Sequence, residues 1–394
     1  MMTMNFSRMA ASVFIAMVLL GLIGLAPATA QTPESSLSYP KNGEITYANT
    51  DSLYLPWTRK EAIIPIWIDF ANQYGGTYES IGKSSAPQNW DIIAFQFGNP
   101  KKPAIMITAH LHGNEHYGYE VMYALANWLA SSDTTAKSIL ENNYIIFVPV
   151  VDYRWARTNY DCQSKPYTDT DLNAVGVDLN RNFAPSWISN LTLQDPHQFG
   201  GTAPDSEPET QALITAWDKY QPLIFWTLHQ GSTRVYSECT ATTAQENATL
   251  KQLKTVLPTI ATNLNVSGSL LKLDVNTAYG MGYHGYGKGY AIDGAASHGV
   301  LGLMSELKKG WNYNDKIRAD LNNGETFRQA KTLFIAMAQS TVNTLPSPTS
   351  TESALPLQET TFSPVNIAIT ILIVSVAVSV GLLAYFVMCK YSYS

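Results

Sequence analysis

The chain has 394 residues, 45% of them hydrophobic but only 14% charged, and its 25 basic and 31 acidic side chains leave a net charge of −6. A charged fraction so far below the roughly 25% of an average soluble domain points to apolar segments outside a globular core, which excludes a disordered chain and a cytosolic protein. No basic block supports nucleic-acid binding.

Residues 9–25 are an apolar run behind Arg8 that closes at Ala28-Thr29-Ala30, so 1–30 reads as a secretory signal peptide. A polar segment with turn formers follows and is expected to be a linker over 31–52. The folded body then runs over 53–343. Strands are expected at 104–108, 144–151, 222–228 and 300–304, each a short apolar run. Between the first two, Val121, Leu125 and Trp128 recur at helical spacing and predict a helix over 117–129. Ser206 and Glu209 have the spacing of a capping box, which predicts a helix start with Ser206 as N-cap. Strands alternating with helices predict an α/β fold, with helices packed on the faces of a sheet.

After Asn343 the composition changes. Residues 344–364 are rich in Pro, Ser and Thr without periodicity and read as a stalk. Residues 365–388 carry no charge and are long enough for a membrane-spanning helix. Lys390 follows, which places the tail 389–394 inside and the body outside. The expected location is therefore the cell membrane, single-pass, with the body extracellular. A lipid-anchor signal is the alternative, but such tails usually end in apolar residues. Cys162 and Cys239 lie in the exported body, where one bridge between them is expected. Asn190, Asn247 and Asn265 open Asn-x-Ser/Thr acceptor sites.

Three of the seven histidines crowd into "ITAHLHGNEHYG". There His112 and Glu115 form H-x-x-E directly after a predicted strand, where a turn can aim an imidazole and a carboxylate at one point. Zinc accepts such N and O ligands, and a catalytic site needs three of them. His229 ends the apolar run "PLIFWTL" and is the best third candidate. Parallel strands ending on one sheet edge would bring it to His112. "GVDLNRNF" holds Asn180, Arg181 and Asn182, and a guanidinium beside an amide suits capture of a carboxylate. "DYRWARTNY" supplies Arg154 and Arg157. Glu306 ends the last apolar strand, as either a salt-bridged edge residue or a catalytic base.

In this order the segments resemble the zinc metallocarboxypeptidase family, the carboxypeptidase A/B type, from about Leu53 to Asn343. The resemblance implies a single domain around a central mixed, largely parallel sheet, and one zinc ion per chain held by His112, Glu115 and His229. It implies that Asn180 and Arg181 hold the terminal carboxylate of a peptide or protein substrate. Glu306 matches the general base and Arg157 the oxyanion-stabilising arginine, with Arg154 the fallback. Tyr286 best matches the tyrosine that caps the substrate, Tyr283 and Tyr290 being the others available. Ile292 matches the position that tunes the side-chain pocket. With the small Gly294, Ala295 and Ala296 after it, it implies a neutral, apolar or aromatic terminal residue.

Gly280-x-Gly282-x-x-Gly285 matches a dinucleotide fingerprint, but no clear βα unit surrounds it, so no nucleotide cofactor is expected. The stretch between signal and body is too short for a folded pro-domain, so no activation cleavage is expected. The rivals are a zinc amidohydrolase that deacylates N-acyl amino acids, of the aspartoacylase and succinylglutamate desuccinylase type, a cell-wall peptidase, and an inactive binding module on a stalk. The intact set of His112, Glu115, His229, Arg181 and Glu306 argues against the last.

Overall fold

The computed structural model describes residues 32–40, 60–85, 88–113, 115–153, 177–184, 187–188, 199–231, 234–237, 248–274, 289–307 and 324–344. The chain divides into two units, Met1–Leu345 and Pro346–Ser394, and every described residue belongs to the first. The expected signal peptide, membrane span and tail, and the stalk beyond Thr344, therefore lie outside the described residues, as do Cys162, Cys239, Asn190 and Asn247. Among the described residues no helix is long and apolar enough to cross a membrane.

Among the described residues an eight-stranded sheet runs through the body. In chain order its strands are β1 Thr77–Lys83, β2 Asp91–Gly98, β3 Ala104–Ala109, β4 Tyr144–Val148, β5 Ile224–Gln230, β6 Arg234–Ser237, β7 Leu273–Asp274 and β8 Leu301–Leu307. Their spatial order is β1-β2-β4-β3-β5-β8-β6-β7. The centre, β4-β3-β5-β8, is parallel throughout. β2 and β6 join it antiparallel, and β1 pairs antiparallel with β2 at the edge. The sheet is thus mixed and largely parallel at its heart, as expected.

The central strands are near-continuous apolar runs because both of their faces are covered. Ile105, Met106 and Ile107 of β3, Phe225 and Trp226 of β5, and Leu301 and Leu303 of β8 are all buried. The covering helices are α1 Lys60–Tyr74, α2 His116–Leu129, α3 Thr134–Asn142, α4 Pro208–Tyr220, α5 Ala248–Asn263, α6 Ala291–Ser297 and α7 Glu325–Thr344. Trp67 of α1 packs against Phe95 and Phe147 of the sheet, with ring centroids 5.4 and 5.1 Å apart.

The four strands and the helix expected from the sequence are present, within a few residues of their expected bounds. Two local expectations are corrected. The segment 31–52 is not wholly a linker. Its described part, 32–40, buries Leu37 in the main core and is pinned by the Ser38 N–H donating to Asp91 Oδ2 at 2.6 Å. The capping box at Ser206 does not form. Glu207 is the N-cap of α4 and makes no side-chain cap bond, and Pro208 occupies the first turn, where its missing N–H costs nothing. Ser206 Oγ is engaged instead by Asn182 Nδ2 at 3.0 Å and by the Glu207 carboxylate at 2.8 Å. Glu209 turns inward and accepts the Ser85 N–H and Oγ–H at 2.6 Å each.

Sheet order places the site. Going from β3 the chain moves one way to β4, and later β5 pairs on the other side of β3. Connections diverging from neighbouring parallel strands open a crevice at their carboxyl ends, where ligands bind in open α/β sheets. The residues just past β3 and those ending β5 and β8 stand at that edge.

Candidate metal centre

The turn after β3 is tight. His110 takes a positive φ of 50°, a conformation few side chains adopt, and it is fully buried. Its Nδ1 lies 3.0 Å from the Pro149 carbonyl, which only accepts, so Nδ1 carries the proton. With His110 neutral, its Nε2 accepts from His116 Nδ1–H at 2.9 Å. These two histidines, which the sequence leaves without an assigned role, are a buried brace beneath the turn.

Glu115 is the N-cap of α2, where an acidic side chain normally accepts from the first helical N–H groups. It makes no such bond. Its carboxylate is directed at two imidazoles: Oε1 lies 3.2 Å from His112 Nδ1 and Oε2 lies 2.7 Å from His229 Nδ1. The Tyr117 N–H of the first turn is satisfied by Gln230 Oε1 at 3.2 Å, which ties α2 to the end of β5. Gly118 makes that approach possible, because a Cβ there would collide with the Leu228 carbonyl.

His112, Glu115 and His229 each offer a ligand atom, and these atoms all lie within 4.8 Å of one another. The two rings meet edge to face, centroids 4.8 Å apart. His229 is fully buried; its Nδ1 meets Glu115 Oε2 at 2.7 Å without hydrogen-bond geometry, and its Nε2 has no hydrogen-bond partner. Buried polar atoms are normally paired, so unused donors converging on one point fit a metal ion. Two imidazoles and a carboxylate are a donor set that zinc takes.

Asp178 supplies what the sequence reading missed. Its Oδ1 lies 3.0 Å from His112 Nε2, which fixes that ring with Nδ1 facing the site. The same oxygen accepts the Asn180 N–H at 2.9 Å, and Oδ2 lies 3.8 Å from Arg181 Nη1. One buried carboxylate thus joins the candidate metal ligands to the residues expected to clamp a carboxylate, Asn180 and Arg181. The signal was available: Asp opens a short turn, Leu179–Arg181, as its N-cap.

The charges tune one another. Burial lowers the His112 pKa, but the carboxylates of Glu115 and Asp178 outweigh it and hold the value well above the usual imidazole range. Burial raises Glu115, yet His229 and His112 keep its carboxyl well below the usual carboxylate range. Asp178 is also lowered, with Arg181 and His112 overcoming its burial.

Arg181 is 9% exposed and Asn180 3%. Arg181 Nη1 donates to the Asn180 carbonyl at 2.8 Å, and its guanidinium lies over the Tyr290 ring, 4.5 Å from the centroid. Asn182, grouped with them in the sequence, does something else. Its amide clamps the loop before α4 through Gly200, Ala203, Ser206 and Glu207. Glu306 stands half-buried at the end of β8, paired across the parallel ladder with His229. Gly231 leaves it room, since a Cβ there would collide with Glu306 Oε2. Ile292 is buried in α6, which lies so close to β8 that a Cβ on Gly302 would strike it. Arg154, Arg157, Tyr283 and Tyr286 lie outside the described residues.

A family model described as zinc carboxypeptidase matches residues 66–339. Among curated proteins the chain is similar to human carboxypeptidase O, 30% identical over 173 residues that make up 39% of this chain and 43% of that one. It is also similar to human mast cell carboxypeptidase A, 27% identical over 175 residues, 41% of each. These matches span about two fifths of the relatives' length. Two solved structures share the fold. Thrombin activatable fibrinolysis inhibitor has a TM-score of 0.56 at 14% identity, covering 75% of this chain and 77% of that one. Carboxypeptidase A from Helicoverpa armigera has a TM-score of 0.54 at 16% identity, covering 74% and 77%.

Proposed function

We propose that this chain, which belongs to the zinc carboxypeptidase family, removes C-terminal residues from peptides or proteins one at a time. The observation that carries this reading is the convergence of His112, Glu115 and His229, with Glu306 opposite His229 on the neighbouring strand. The first three would hold a zinc ion, which would supply a Lewis acid and would bring the pKa of a water bound there to about 7.

The chain's own groups do the rest. Glu306 takes the proton of the attacking water and delivers it to the leaving amine. Arg181 and Asn180 hold the terminal carboxylate, so that the last peptide bond is the one presented. Asp178 keeps His112 in its binding tautomer and sits beside Arg181, which fixes clamp and metal ligands in one frame. Arg157 is assigned to the developing oxyanion, and Tyr286 to the cap over the substrate. With Ile292 where a basic-specific site would place an acid, the terminal residue is neutral. The apolar segments 9–25 and 365–388 support a membrane-anchored enzyme with its body on the outer side.

The test is direct. The purified protein is assayed for bound zinc and offered N-blocked dipeptides and N-acyl amino acids. Release of the terminal amino acid from the dipeptides, stopped by chelation and restored by zinc, is the expected result. Turnover of N-acyl amino acids alone would favour the deacylase instead. Separation of membrane and soluble fractions, with and without 365–394, tests the anchor.

A further inference from the structure

Tyr290, Ile292 and Met304 are buried and pack as a group of their own, apart from the main core. The sheet sets their place. Alternate residues of a strand share a face, so Gly302, Met304 and Glu306 lie on one face of β8. α6 covers the Gly302 end of that face through Ile292. Next along, Met304 Sδ lies 3.5 Å from Asn180 Nδ2, while Asn180 Oδ1 accepts the Ala291 N–H at 3.0 Å. The Arg181 guanidinium lies over the Tyr290 ring, 4.5 Å from its centroid.

A peptide held by its carboxylate at Arg181, with its last bond presented to Glu306, has its terminal Cα between those two groups, and its side chain branches off from there. Tyr290, Met304 and Ile292 pack together beside that point, Tyr290 against Arg181, and Met304 against Asn180 on the face of β8 that carries Glu306. The small residues nearby do not enlarge the space there. Gly294 abuts the Phe183 ring, and Ala295 is sealed in the main core. We infer that these three side chains close the terminal side-chain site, so that the enzyme takes small neutral C-terminal residues such as Gly, Ala or Ser, with Tyr290 setting the size limit. This rests on the carboxypeptidase reading and narrows the terminal residues that Ile292 and its small neighbours implied, excluding aromatic ones. None of the three offers a charge to a terminal Lys or Arg.

The test uses the zinc-loaded full chain in detergent and N-blocked dipeptides that differ only in their last residue: Gly, Ala, Leu, Phe or Lys. One ill-fitting methylene discriminates by about 10–200-fold. The expected kcat/KM for terminal Ala therefore exceeds that for Phe by at least about tenfold, on the same grounds. Tyr290→Ala raises the Phe-to-Ala ratio by a similar factor, chiefly through a lower KM for Phe, and Tyr290→Phe keeps the parent ratio. Met304→Ala provides a second opening of the site should Tyr290→Ala fail to fold. Calorimetric binding of the same dipeptides to the Glu306→Gln protein follows the same order. Phe or Leu released as fast as Ala by the parent enzyme overturns the inference and leaves the carboxypeptidase reading standing. So does a Phe-to-Ala ratio that neither opening variant moves. Release of no amino acid from any dipeptide overturns the reading and the inference together.

Discussion

His229 and Glu306 face each other across the β5–β8 ladder, one a candidate metal ligand and the other the candidate base. Adjacent parallel strands hold paired residues on one face of the sheet, so the spacing between metal and base is set by backbone rather than by loops. Replacing Glu306 by Gln keeps shape and hydrogen bonding but removes the base. Peptide hydrolysis is expected to fall by about 10²–10⁴-fold, with zinc content by atomic emission unchanged.

Gly231 is where the chain leaves β5, and its missing side chain is filled by the Glu306 carboxylate. Gly231→Ala pushes that carboxylate away from the metal ligands. A loss of about 10²-fold in kcat is expected, since an ångström of misplacement costs that much. The melting temperature and zinc content should change little. Wild-type activity in this variant would remove Glu306 from the mechanism.

Asp178→Asn retains the volume but withdraws the charge from His112 Nε2. Loss of such a partner weakens metal affinity by about 10–100-fold, which competition with a fluorescent chelator measures. The same variant should also raise KM, because Asp178 stands beside Arg181.

Arg181→Met removes the clamp and leaves a stem of similar length. KM for peptides with a free C-terminus should rise steeply, while C-terminally amidated peptides, poor substrates of the parent, should be affected far less. Equal losses on both would show that Arg181 does not hold the carboxylate.

Glu209 gives a pH test remote from the metal. Burial pushes its carboxyl up to about 7, with the Ser85 hydrogen bonds opposing and Asp152 adding. The folded state therefore keeps a proton that the unfolded chain has already lost above its ordinary value near 4.5. Glu209 favours folding below that ordinary value, and the contribution is lost as pH rises toward 7. Glu209→Gln still accepts from Ser85 but has no proton to lose. The variant should gain up to about 3 kcal/mol over the parent at pH 8 relative to pH 4, measured by urea unfolding at the two pH values.

The central strands and α2 were legible because buried strands and amphipathic helices leave apolar periodicity. So was the meeting of His112, Glu115 and His229, each at a strand end or in a distinctive segment. Other features were not. β1 and β2 carry polar residues among their apolar ones. The start of α4 was misread because Ser206 and Glu209 have the spacing of a capping box, while tertiary partners, Asn182 and Ser85, claim both side chains. Asp178 was overlooked since its role depends on His112, remote in sequence but 3.0 Å away. The grouping of Tyr290 with Met304 likewise exists only after α6 docks on β8.

The candidate ligands come from the turn after β3 and from the end of β5, and the candidate base comes from β8. No part of the chain holds all three locally, so the site cannot exist until the parallel centre of the sheet has assembled. Parallel pairings between distant segments are slow to form, and a metal that binds only the assembled state adds its binding energy to folding. Capture of zinc is thus a reporter of correct assembly. A chain with β5 or β8 misregistered would remain metal-free, and chelation during refolding should lower the yield of native enzyme more than chelation afterwards lowers its stability.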